Sequence, residues 1–77
     1  MTNQQFQLRD EFIELHRLLK LQGISASGGE AKQLVASGVV QVDGVVELRK
    51  ACKVRAGQRI QTGEVTIELL AAPAKPA

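Results

Sequence analysis

The chain is 77 residues long and 44% apolar, with one cysteine, two phenylalanines, no tyrosine or tryptophan, and a formal net charge of +2. A chain of this size folds as one domain that buries roughly 60% of its unfolded surface, and a single cysteine rules out an intramolecular disulfide or a cysteine-based metal cluster. No apolar run approaches the roughly 20 residues of a membrane span and no signal-peptide pattern opens the chain, so a cytoplasmic protein is expected.

Met1 to Gln5 is polar and is expected to fray, while Phe6-Gln7-Leu8 reads either as a short strand or as an anchor to the core. From Asp10 to Gln22 the apolar residues Phe12, Leu15, Leu18 and Leu19 recur at helical spacing and predict a first helix with one buried stripe. Asp10, Glu11 and Glu14 suit the positive start of that helix, Lys20 suits its end, and Gly23 stops it. The second helix opens on a capping signature, Ser27-Gly28-Gly29-Glu30, in which Ser27 accepts from a first-turn N–H and Glu30 reaches back to the Ser27 N–H. Ala31, Leu34 and Val35 form its apolar face and Gly38 ends it. So short a helix depends on packing for its stability.

After Gly38 the period becomes that of strands. Val39 to Val42 and Val45 to Leu48 flank Asp43-Gly44, the strongest short-range hairpin signal, with Gly44 supplying the positive φ of a type I′ turn. Lys53-Val54 precedes a turn at Ala56-Gly57. Arg59 to Gln61 and Glu64 to Leu70 then flank Thr62-Gly63 as a second hairpin. Ala71 to Ala77, with Pro73 and Pro76, reads as a flexible tail. The expected fold is α+β, two packed helices followed by a small antiparallel sheet, with or without a leading strand. It divides into an N-terminal segment 1–9, a domain 10–70 and a tail 71–77. The expected core is Leu15, Leu18, Leu19, Leu34, Val35, Val42, Val54, Ile60 and Ile67, and both Phe6 and Phe12 read as core as well.

Charge is unevenly spread. Residues 1–48 carry four basic and six acidic side chains, whereas residues 49–77 carry six basic and two acidic. Half of all Lys and Arg stand between Arg49 and Arg59, with no acid among them. Positive charge concentrated on one connection suits a polyanion, and Arg49, Lys50, Lys53 and Arg55 are the candidate phosphate contacts of that run. Its plainer reading is solubility and protection of a sheet edge. On the first helix Arg17 and Lys20 share about 100° of arc with His16. Gly28 and Gly29 bare the unpaired amides at the positive end of the second helix, one turn before Lys32, where a phosphate fits; the alternative is that both glycines serve a tight helix–helix contact.

Other chemistry finds little support. His16 has no second metal ligand at helical or hairpin spacing, no nucleophile, base and orienting acid are assembled, and the Walker phosphate-loop pattern is absent. Cys52 reads as a small hydrophobe among basic neighbours. No enzyme, cofactor, metal site, membrane contact or small-molecule substrate is therefore expected. With so few aromatics, modules that stack single-stranded bases on exposed rings are disfavoured. The expected partner is structured RNA, read through its phosphates.

These elements in this order resemble the RNA-binding domain named after ribosomal protein S-four, the αL motif. The likeness is carried by Leu18 to Gly23, by Ser27-Gly28-Gly29 with Ala31-Lys32, by Val42-Asp43-Gly44, and by Glu47 with Arg49-Lys50 and Cys52-Lys53. It extends from about Phe12 to Ile67 and is similar to stand-alone bacterial members of the family. The resemblance implies two helices against a sheet and RNA binding; the expected partner is a structured RNA, ribosomal or transfer RNA. Two positions depart from the pattern. Many members open the second helix with Ser-Arg, the arginine meeting RNA, where this chain has Ser27-Gly28; and they often place Gly-Asp before the last strand, where it has Gly57-Gln58. Lys32 and the bare helix start stand in for the missing arginine, and weight shifts to Arg49, Lys50 and Lys53. Of the rivals, a DNA-binding helix-turn-helix needs more reading side chains than the Glu30, Lys32 and Gln33 of the second helix. A protein-interaction module would use the Val-rich hairpin face.

Overall fold

A computed structural model describes residues 2–73. In chain order the elements are β1 (Thr2–Gln7), β2 (Ile13–Glu14), α1 (Leu15–Leu21), α2 (Gly28–Ala36), β3 (Val40–Val42), β4 (Val45–Val46), β5 (Lys53–Val54), β6 (Arg59–Thr62) and β7 (Val65–Leu70). Five strands form one sheet in the order β1-β7-β6-β3-β4, and β2 pairs with β5 in a second, two-stranded one.

The class is α+β, but the main sheet is mixed where an antiparallel one was expected. β1 precedes the helices and runs parallel to β7, from Thr2 opposite Val65 to Gln7 opposite Leu70. A parallel pair needs a long crossover, and here everything between β1 and β7 supplies it. Residues 2–5, expected to fray, are therefore a strand, and the Thr2 N–H donates to the Glu64 carbonyl at 2.9 Å. Asn3, Gln4 and Gln5 are weak strand formers. What makes them a strand is the open edge of β7, which no local pattern announces.

α1 starts at Leu15 rather than Asp10. The backbone of Ile13 and Glu14 pairs antiparallel with Val54 and Lys53, so those groups go to a strand instead of a helical turn. α2 has the expected Ser27 cap, accepting from the Glu30 N–H at 3.2 Å, but the Glu30 carboxylate accepts from Ala26, one residue earlier than expected, at 2.8 Å. The β3–β4 hairpin turns at Asp43 (φ 52°) and Gly44 (φ 83°), both positive as a type I′ turn requires. β6 and β7 form the second hairpin.

The core joins both layers: Leu15, Leu18 and Leu19 of α1, Ala31 and Val35 of α2, and Val40, Val54, Ile60, Ile67 and Leu69 from the strands. Leu34 and Val42, expected inside, pack half-buried against its rim. Leu8 is also fully buried just past β1. Phe6 packs on the cluster, whereas Phe12 stands half-buried outside it, contrary to expectation. Along β6 burial alternates, with Ile60 and Thr62 inside and Arg59 and Gln61 exposed on the face away from the helices. No described helix is long and apolar enough to cross a membrane. Of the expected tail, 74–77 lies outside the described residues.

Candidate nucleic-acid interface

After Leu48 the basic segment runs across the start of α1. The Leu15 N–H donates to the Cys52 carbonyl at 2.9 Å, the His16 N–H donates to the Lys50 carbonyl at 3.0 Å, and the Cys52 N–H closes a turn onto Arg49 at 3.1 Å. The first amides of a helix lack partners within it, and Glu14 makes no side-chain cap. Loop carbonyls satisfy those donors instead. The segment is thereby held in place by its backbone, leaving the side chains of Lys50 and Lys53 exposed.

Beyond β5 the chain passes Phe12. The Lys53 Nζ lies 4.8 Å from the centre of the Phe12 ring and the Arg55 Cζ lies 5.7 Å from it, both within cation–π range of about 6 Å. The Arg55 backbone is fixed as well, since its N–H donates to the Gln58 side-chain carbonyl at 2.7 Å. Gln58, which stands where the family pattern has an acid, also reaches the Asp43 carboxylate at 3.4 Å, beside the Arg59 N–H bond to Asp43 at 3.0 Å. Arg17 lines a groove with Phe12 and Glu14, and Arg9 lines that groove too. Lys53 and Arg55 are thus gathered around one ring, with Arg17 on the groove that the ring lines and the Lys50 backbone secured on α1.

Arg49 is arranged differently. Its Nε and one terminal guanidinium nitrogen contact the Glu47 carboxylate at 3.0 and 3.3 Å, and its N–H donates to the same group at 3.0 Å. These bonds, the guanidinium contact first, hold the Glu47 carboxyl at about 2, well below its ordinary 4.5. The Arg49 side chain remains 79% exposed, but part of its charge is balanced. Burial, and then the Glu47 carboxylate, push the Cys52 thiol up, which favours its protonated form. The His16 Nε2 is 3.5 Å from a Glu14 carboxylate oxygen, and its side chain is half-buried rather than free in solvent.

Lys20 and Lys32 are exposed on the two packed helices. A Cβ at Gly28 would meet nothing within 4 Å, and one at Gly29 only the Ser27 hydroxyl at 3.9 Å. No tight helix–helix contact therefore explains these glycines. The α2 start is open to an approaching group, although the Glu30 carboxylate already takes one nearby amide. Among the described residues no group of three His, Cys, Asp or Glu side chains could hold a metal ion. Three residues of this arrangement escaped sequence reasoning: Phe12, whose helical spacing with Leu15 and Leu19 mimicked a core position; Arg9, set aside with the N-terminal segment; and Glu47, the acid two residues before Arg49.

Comparison with known proteins identifies the family. A family model described as the S4 domain matches residues 6–70. The protein named "Putative RNA-binding protein YbcJ" of Escherichia coli strain K12 is 48% identical over 59 residues, covering 77% of this chain and 84% of that protein. "Uncharacterized protein YbcJ" of Shigella flexneri matches with the same identity and coverage. The solution structure of the Escherichia coli YbcJ, described as revealing an αL motif involved in RNA-binding, superposes with a TM-score of 0.66 at 41% identity, covering 92% of this chain and 89% of that one.

Proposed function

The chain belongs to the S4 domain family, and from that premise we propose that it binds structured RNA, ribosomal or transfer RNA, through phosphates. The observation that carries the proposal is the pair Lys53 and Arg55 standing over Phe12, next to a Lys50 whose backbone is locked onto α1. Cations held by fixed backbone and an aromatic ring lose less freedom when a phosphate arrives, so more of the contact energy reaches binding. Arg17, Lys20 and Lys32 extend the positive surface along the helices, and Gly28 and Gly29 leave the α2 start open to a phosphate. Arg49 contributes from the edge, shared with Glu47. Such contacts position a protein on RNA and carry little sequence information. Catalysis has no part in this role, and a cytoplasmic setting belongs to the same proposal. Crosslinking in cells with sequencing of the attached RNA is the test: structured RNA should be recovered with the intact chain and lost when Lys53 and Arg55 are both replaced by Ala.

One observation favours a second role. Val39, Val45, Val46 and Leu48 are 48%, 69%, 49% and 60% exposed around the β3–β4 hairpin, an apolar edge suited to a partner protein. Crosslinking that recovers protein and no RNA would favour it.

A further inference from the structure

Both aromatic rings of the chain line one groove. Phe6 and Phe12, with Ile13 and Leu21, floor a space of about 640 Å³ between the β1–β2 connection and α1. Arg9 and Arg17 stand among its walls, and a neighbouring hollow that shares Arg9 and Phe12 continues to Arg55. The groove thus combines an apolar floor, a half-exposed ring and a rim of cations continuous with the proposed RNA surface. Asp10 and Glu14 also line it and offer hydrogen-bond acceptors.

We propose that this groove takes one unpaired nucleotide of the bound RNA, an inference that rests on the RNA-binding role above. A planar base has apolar faces, amino and hydroxyl donors at its edges and on its ribose, and an anionic phosphate at its back. Floor, carboxylates and cations match these in turn. A base inside a duplex is stacked and paired and cannot reach such a floor, whereas a bulged or terminal one can be splayed onto an aromatic side chain. The cations fit this occupant better than a purely apolar one. Lys53 and Arg55, already over Phe12, are placed to meet the phosphates flanking the base. Scarce aromatics therefore do not exclude base contact; one ring outside the core suffices for one nucleotide.

The test compares two RNA duplexes with equal numbers of phosphates, one blunt and fully paired, the other carrying a single bulged 2-aminopurine. The intact chain should prefer the bulged duplex by about tenfold, as expected for one base–aromatic contact, and should change the fluorescence of the probe. Phe12→Ala should lose the preference, binding both duplexes alike and both more weakly than the intact chain binds the blunt one, because Lys53 and Arg55 also lose the ring they stand over. Phe12→Leu, which keeps apolar volume and so guards against a folding defect, should also lose the preference. Equal affinity of the intact chain for both duplexes, or a preference that survives in folded Phe12→Leu, would overturn the nucleotide site while leaving phosphate binding intact. Failure of the intact chain to bind either duplex would overturn both proposals.

Discussion

The His16 N–H donates to the Lys50 carbonyl at 3.0 Å, so the first turn of α1 and the basic segment are one mechanical unit. The link is made by backbone on both sides. It leaves the Lys50 ammonium available to a partner and asks nothing of the imidazole. The same holds one step away, where Leu15 donates to Cys52.

Neither His16 nor Cys52 should therefore be needed for binding. His16→Ala and Cys52→Ala are expected to bind RNA within a few-fold of the intact chain, the second with a modest stability cost from the packing its half-buried side chain loses. Affinity measured beside a thermal melt checks this. A well-folded His16→Ala protein that no longer binds would show that the imidazole takes part.

The Glu47–Arg49 pair should be visible in a titration. Folding lowers the Glu47 carboxyl from 4.5 to about 2, so the folded chain binds that proton more weakly than the unfolded one. The pair's contribution is fully present above about pH 4.5 and is lost as pH falls through about 2. Following the Glu47 carboxyl carbon by NMR should give a midpoint about 2 in the intact chain, and Arg49→Gln should move it up toward 4.5. A midpoint near the ordinary value in the intact chain would mean the ion pair does not persist in solution.

Leu8 tests the β1 assignment. It is 2% exposed, and its N–H donates to the Leu70 carbonyl at 2.9 Å. Leu8→Ala should cost about 2–5 kcal/mol, the usual range for a core leucine. Denaturant unfolding measures this, and a negligible loss would mean that the N-terminal strand is not docked.

Gly28 separates stability from binding. It is the first residue of α2, has no positive φ, and an added Cβ would meet nothing. Gly28→Ala should stabilise the fold by about 0.4–1 kcal/mol by restricting the unfolded chain. It should also weaken RNA binding, because the methyl group stands where a phosphate would approach. A variant that is more stable and binds unchanged would remove the α2 start from the interface.

Local signals were sufficient for α2, for both hairpins and for most of the core, because Ser27 and Asp43-Gly44 act within a few residues of themselves. Local signals were insufficient for β1 and the start of α1. The partner of β1 lies about sixty residues away in β7, and Ile13–Glu14 answers to Lys53–Val54 across the fold. In the candidate interface the cations other than Arg9 were legible from the distribution of charge along the chain. The ring that gathers two of them was not, because Phe12 keeps helical phase with Leu15 and Leu19 while lying outside the helix. Nor was the balancing of Arg49, since the charge run looks free of acid until Glu47 folds back onto it.

A defined phosphate-binding surface centred on Lys53 and Arg55 should reveal itself in a salt titration of binding to a structured RNA such as a ribosomal RNA fragment. Each phosphate neutralised contributes a log–log slope of roughly −0.7 to −0.9. Lys53→Ala and Arg55→Ala should each weaken binding to all RNAs alike and flatten the slope by about one unit. Arg59, on the sheet face away from the helices, is the control of equal charge, and Arg59→Ala should leave both affinity and slope close to those of the intact chain. Equal losses at all three positions would mean that no such surface exists, because binding would then be diffuse attraction to net charge rather than contact at a site.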